Sequence, residues 1–280
     1  MTAGTRGPVW INGTIVSESE AVVSAFDHGL TVGDGVFETV KVLAGTPFAF
    51  GRHLRRLATS AAALALPEPD LDTVRAAVAA TLAAQPDLPV RSRLRITYTG
   101  GVSPLGSDRG LDGPTLIVAV APLPDRPPTS AVVTTPWPRN ERGALAGHKT
   151  TSYAENVVAL AYAKQRGAAE ALCADTSGRL CEGTGSNVFL ELDGHMVTPT
   201  IATGCLAGVT RALVLEWCDA VEADVPIEAL QHTSEVFLTS STRDVHGVHA
   251  VDGRTLDAPG PLTKAAMVAF AERAATYTDP

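Results

Sequence analysis

The decapeptide Gly147-His148-Lys149-Thr150-Thr151-Ser152-Tyr153-Ala154-Glu155-Asn156 centres on a lysine, an uncommon choice in this chain. Four lysines (Lys41, Lys149, Lys164 and Lys264) stand against eighteen arginines among 280 residues. Arginine keeps its proton in a protein, whereas a lysine can be made neutral by burial and can then attack a carbonyl. Upstream, Gly143-Ala144-Leu145-Ala146-Gly147 is a mostly small run that leaves room for a bound molecule. Downstream, Tyr153 to Arg166 is helix-like, and a helix head disfavours a second positive charge. A lysine taken alone reads as a solvated surface residue beside a helix cap. Its company along the chain displaces that reading.

Composition bounds the rest. With 45% hydrophobic and 19% charged residues, the chain reads as globular, with length for one large domain or two ordinary ones. A net charge of −8 argues against binding a phosphate backbone, which needs clustered basic residues. No run of eighteen apolar residues occurs, and the polar stretch after Met1 lacks an apolar signal core. The expectation is a cytoplasmic protein with neither membrane nor nucleic acid as partner. Cys173, Cys181, Cys205 and Cys218 form no C-x-x-C pair and read as reduced core residues, with no metal site expected.

Periodicity places the elements. Val9-Trp10-Ile11 and Thr14-Ile15-Val16 flank Asn12-Gly13, a hairpin signal. Val36 to Val42 reads as a strand behind a glycine-rich loop, and helices are predicted over His53 to Leu66 and Leu71 to Ala84. Strands are predicted at Arg93–Thr99, Thr115–Val120, Ala131–Thr135, Ala171–Ala174, Asn187–Leu192 and Glu235–Ser240. Thr210 reads as the N-cap of a helix to Trp217, and Pro261 as the first residue of the last helix. Pro122, Pro124, Pro127 and Pro128 mark residues 122–129 as a linker between a smaller α/β domain (1–121) and a larger one (130–280).

Five motifs follow in order: His53-Leu54-Arg55-Arg56-Leu57, the Lys149 stretch, Leu180-Cys181-Glu182-Gly183-Thr184-Gly185-Ser186-Asn187, Leu206-Ala207-Gly208-Val209-Thr210-Arg211 and Val236-Phe237-Leu238-Thr239-Ser240-Ser241-Thr242. Together they resemble the pyridoxal-phosphate enzymes of fold type IV, from about Gly13 to Thr255. That family includes branched-chain and D-amino-acid aminotransferases and aminodeoxychorismate lyases. The resemblance implies an α/β, two-domain, D-amino-acid aminotransferase-like fold with the active site at the domain interface, in a homodimer whose larger domain binds the cofactor. It implies that Lys149 attaches pyridoxal 5′-phosphate and that Glu182 faces the pyridine nitrogen. An adjacent carboxylate keeps that nitrogen protonated and the ring a better electron sink.

A phosphate calls for donors. Gly208, Val209 and Thr210 precede or open a helix, whose first amides lack intrahelical partners and suit an anion. Ser241 and Thr242 offer a second turn, and Arg56 matches the family's phosphate-binding arginine. Arg55 reads as solvent-facing. Thr210 as a plain cap and Glu182 as a strand-end residue are the bland alternatives. For the substrate, Arg109 is the candidate carboxylate trap, with Phe37, Tyr98 and Tyr153 as candidate lining residues. The Gly183-Thr184-Gly185-Ser186 run lacks the third glycine of a dinucleotide loop. No Gly-x-Ser-x-Gly elbow supports a hydrolase, and a non-catalytic binding relative would be expected to have lost Lys149 or Glu182.

Among activities, overall resemblance favours aminodeoxychorismate lyase, which would convert 4-amino-4-deoxychorismate to 4-aminobenzoate and pyruvate for folate synthesis. The alternative is a class IV aminotransferase passing an amino group from a D- or branched-chain amino acid to 2-oxoglutarate. Glu38, after Phe37, stands where some lyases carry a threonine and is more like the aminotransferases.

Overall fold

A computed structural model describes residues 7–280 as two compact units. The first comprises residues up to Pro124 together with His148–Tyr153 and Thr278–Pro280; the second comprises Asp125–Gly147 and Ala154–Tyr277. The division falls inside the Pro-rich stretch. The limits 1–121 and 130–280 therefore describe chain order, whereas two further short segments join the first unit.

The first unit contains β1 (Val9–Ile11), β2 (Thr14–Val16), α1 (His28–Thr31), β3 (Gly35–Leu43), β4 (Thr46–Pro47), α2 (Phe50–Ala63), α3 (Leu71–Ala83), β5 (Arg91–Thr99) and β6 (Thr115–Pro122). Its strands form one sheet in the order β2-β1-β6-β5-β3-β4. Alternation sorts the faces. Val36, Val40, Leu94, Ile96 and Val118 are buried with Leu54 and Leu57 of α2 and Val74 and Ala77 of α3. Each of the Val, Leu and Ile side chains contributes roughly 1.5–3 kcal/mol when fully buried. Helix α2 starts three residues before the predicted His53, because the end of the chain supplies its cap. Ala49 N–H donates to Thr278 O (2.8 Å) and Gly51 N–H to the Asp279 carboxylate (2.7 Å). A carboxylate there also suits the helix dipole.

The second unit holds β7 (Thr129–Thr134), α4 (Ala154–Gln165), β8 (Glu170–Ala174), β9 (Leu180–Gly183), β10 (Asn187–Leu192), β11 (His195–Pro199), α5 (Val209–Trp217), β12 (Ala220–Ala223), β13 (Val236–Ser240), β14 (Asp244–Val251), β15 (Arg254–Thr255) and α6 (Pro261–Thr276). The sheet runs β12-β11-β10-β13-β14-β7-β8-β9, with β15 on β14. Its core joins Val132, Leu172, Leu180, Val188, Leu190, Val236, Leu238 and Val248. Cys173, Cys181 and Cys205 form a buried contact group, and burial pushes the Cys205 thiol up to about 11. Among the described residues no helix is long and apolar enough to cross a membrane, and no group of His, Cys, Asp or Glu could hold a metal ion.

Candidate active site

Lys149 is held in the first unit through its backbone. The edge of β3 pairs with its segment: Phe37 N–H donates to Lys149 O (3.0 Å), Thr151 N–H donates to Gly35 O (2.8 Å), and Val36 bridges Thr150. Lys149 N–H donates to Ser60 Oγ on α2 (3.3 Å). The side chain then lies over Phe37, with Nζ 4.3 Å from the ring centroid and 3.5 Å from the Tyr153 hydroxyl. Tyr153 meets Phe37 edge-on at 5.1 Å. Two of the four candidate substrate-binding residues, Phe37 and Tyr153, are thus brought to Lys149.

The other two are not shown there. Tyr98 alternates with Thr97 and so joins Leu94 and Ile96 on the helix-covered face. It is 5% exposed and its hydroxyl donates to Pro67 O (3.1 Å), which makes it a core residue with a satisfied polar tip. Arg109 forks onto Asp34 (2.7 Å twice) and also donates to the carbonyls of Leu64 and Ala65. Four of its five N–H donors are engaged, so here it clamps loops.

Sequence reasoning missed Arg95. Its guanidinium carbon lies 3.4 Å from the centroid of the Phe37 ring, the ring over which Lys149 Nζ also lies. Burial pulls the Arg95 value down to about 10, against opposing pulls from Tyr153 and Glu38, so it stays cationic at neutral pH. The available signal was Arg91, Arg93 and Arg95 at strand period, which puts charge on one face of β5.

On the opposite face, Glu38 is fully buried. Arg56 forks onto it through Nε (2.8 Å) and Nη2 (2.7 Å), and His53 Nδ1 lies 2.6 Å away. Arg55 is exposed, as its reading expected. Burial acts to raise the Glu38 carboxyl, but Arg56 and His53 outweigh it and hold it at about 2. Burial pushes His53 down against the pull of Glu38, whose carboxylate its Nδ1 faces. Glu38 therefore contributes stability that is present above its ordinary 4.5 and lost as pH falls from there toward 2. The size is on the order of 3 kcal/mol. Urea midpoints across pH 6 to 2 should fall steeply below 4.5 in the parent, and less steeply in Glu38→Gln. Parallel curves would show that Glu38 is not the group responsible.

In the second unit Glu182 accepts from Leu206 N–H (2.9 Å) and from Arg139 Nη2 (3.3 Å). Asn187 Nδ2 donates to Leu206 O (2.8 Å) and lies 3.5 Å from Glu182. The turn so fixed leads into α5, whose N-cap is Gly208 and not Thr210. Close approach explains the glycine: a Cβ there would stand 2.0 Å from Asn187 Oδ1. Gly208 makes no side-chain cap bond, and the first amides of α5, at Val209 and Thr210, point outward from the helix end. Ser241 and Thr242 close the β13–β14 turn, where Arg126 donates to Thr242 Oγ1 (3.4 Å).

The family described as amino-transferase class IV matches residues 35–251, most of the chain. The chain belongs to the class IV aminotransferase family. A putative branched-chain-amino-acid aminotransferase of Methanocaldococcus jannaschii is 31% identical over 91% of this chain and 92% of its own length. A bifunctional aminodeoxychorismate lyase / D-amino acid transaminase of Mycobacterium tuberculosis is also 31% identical, covering 94% and 96%. Among solved structures, a hypothetical aminotransferase from M. tuberculosis in its PLP-bound form is 28% identical with a TM-score of 0.83, covering 95% of this chain and 100% of that one. As a class IV aminotransferase family member, the protein is a pyridoxal-phosphate enzyme of fold type IV. Its donor chemistry fits that cofactor: a lysine over an aromatic ring, a carboxylate hydrogen-bonded by an arginine, and a helix N-terminus whose first amides suit a phosphate.

Proposed function

We propose that this protein is an aminotransferase that moves an amino group from a small amino acid to a 2-oxo acid. The observation that carries this reading is the state of Glu38. The position after Phe37, where a lyase would want a proton donor, holds a carboxylate kept ionised by Arg56 on the face opposite Lys149 Nζ. An ionised, fully buried carboxylate has no proton to give. Proton movement is then left to Lys149, with the Tyr153 hydroxyl in reach to orient its Nζ.

In this reading Lys149 is the attachment residue and Glu182 faces the ring nitrogen. Val209, Thr210, Ser241 and Thr242 hold the phosphate, with Arg56 as a further cation for it. When bound, pyridoxal phosphate supplies the electron sink that weakens the C–H bond at the amino-bearing carbon. Lys149 Nζ takes up and holds the proton from that carbon, and Phe37 beneath it keeps water from the amine. Arg95 gives the substrate carboxylate a planar cationic partner on the same face. The reading also takes the chain as a homodimer, since Phe26, Leu30, Val32, Leu105 and Leu111 expose apolar side chains on two neighbouring segments of the first unit, around α1 and between β5 and β6.

A second reading, aminodeoxychorismate lyase, is supported by the bifunctional M. tuberculosis relative. The two are separated by supplying alanine or leucine with 2-oxoglutarate in one assay, and aminodeoxychorismate without any oxo acid in another. Sustained glutamate formation that requires both partners is expected in the first. Sustained release of 4-aminobenzoate and pyruvate in the second, with no amino transfer in the first, would overturn the aminotransferase reading.

A further inference from the structure

Glu170 is a buried carboxylate that the chemistry above does not use, yet it is among the most heavily bonded side chains of the second unit. It is 4% exposed at the start of β8. Its Oε2 accepts from Thr184 Oγ1, Gly185 N–H and Ser186 Oγ, each at 3.0 Å. Its Oε1 accepts from Arg243 Nη2 at 2.6 Å, and that guanidinium is itself nearly buried. One carboxylate thus fastens two segments far apart in sequence. The 184–186 loop is separated from Glu182 by Gly183 alone and leads into Asn187, while Arg243 directly follows Ser241 and Thr242. The packing leaves no slack on the loop side, since a Cβ at Gly183 would stand 2.8 Å from Glu170 Oε2.

We propose that the Glu170–Arg243 pair is a positioning device: it fixes the Ser241–Thr242 turn against the Gly183–Ser186 loop and thereby sets the geometry in which the turn receives a phosphate. The argument is one of donors and acceptors. Arg243 links this turn to Glu170, and a guanidinium on a carboxylate fixes direction as well as distance. Thr242 has a second, exposed contact in Arg126, at 3.4 Å. A long bond from a solvent-facing arginine cannot hold a turn as a buried 2.6 Å pair can. Glutamine at 170 would keep the shape but could not accept from three loop donors and bind a guanidinium with equal strength.

The proposal rests on the reading that Ser241 and Thr242 bind the cofactor phosphate, and the test separates the two. Equilibrium dissociation constants for pyridoxal 5′-phosphate and for pyridoxal, which lacks the phosphate, are measured by fluorescence quenching on protein stripped of cofactor. Parent, Glu170→Gln, Arg243→Met, the double variant and Ser241→Ala/Thr242→Ala are compared, with circular dichroism as the check on folding. Glu170→Gln and Arg243→Met should each weaken pyridoxal 5′-phosphate by about ten- to a hundredfold. Pyridoxal should weaken much less, and the double variant should be no worse than the poorer single one. Arg243→Lys should recover part of the loss, and with Arg243→Met it carries the test if Glu170→Gln does not fold. Equal losses for both ligands would mean general support of the fold and would overturn the proposal. So would a loss in Arg243→Met with none in Glu170→Gln. If Ser241→Ala/Thr242→Ala binds pyridoxal 5′-phosphate like the parent, the phosphate reading of the turn fails first, and the proposal with it.

Discussion

Replacing Lys149 with arginine is expected to lower turnover by roughly 10²–10⁴-fold while leaving the fold in place. Arginine keeps the positive charge over Phe37 but cannot lose a proton, so it can neither attach the cofactor nor act as a base. The fold should survive because the backbone of residue 149, and not its side chain, makes the bonds to Phe37 N–H and Ser60 Oγ. Borohydride reduction of the parent followed by peptide mapping should place a reduced cofactor adduct on Lys149. The other lysines are poor rivals. Lys41 is 3% exposed and lies over Phe48, while Lys164 and Lys264 are exposed on helix surfaces. An adduct on any of these three, or an arginine variant with parental turnover, would sink the assignment.

Arg56→Ala is expected to cost stability as well as cofactor affinity. Read from its motif alone, Arg56 is a phosphate ligand whose loss would weaken binding by roughly 1.5–3 kcal/mol. The structure adds that its Nε and Nη2 neutralise Glu38, which has no exposure to water. Removing one partner of a buried ion pair leaves an uncompensated charge, at about 3–5 kcal/mol. The urea midpoint of cofactor-free protein should therefore fall in Arg56→Ala. It should recover in part in the Glu38→Gln/Arg56→Ala double variant, where no charge is stranded. Unchanged stability in Arg56→Ala would show that the pair does not support the fold.

The sequence by itself determined the family and most of the elements, because those signals are local. Asn12-Gly13 lies between the two strands of a hairpin, with both residues at positive φ, and Asn187–Leu192 is a strand with its predicted ends. Pro261 opens the last helix behind the Gly260 cap. Lys149 and Glu182 stood out because their motifs are contiguous. Tertiary structure decided whatever depended on a partner distant in sequence. Helix α2 begins at Phe50 because Thr278 and Asp279 meet its first amides, 228 residues on in the case of Gly51. Tyr98 belongs to the core and Arg95 to the Lys149 face because pairing with β3 fixed which side of β5 each occupies. Arg109 was spent on Asp34, and Glu38, His53 and Arg56 became one buried cluster, only when helix and strand packed together. A residue's type states which bonds it can make; folding decides which partner comes within the three ångströms where a bond forms.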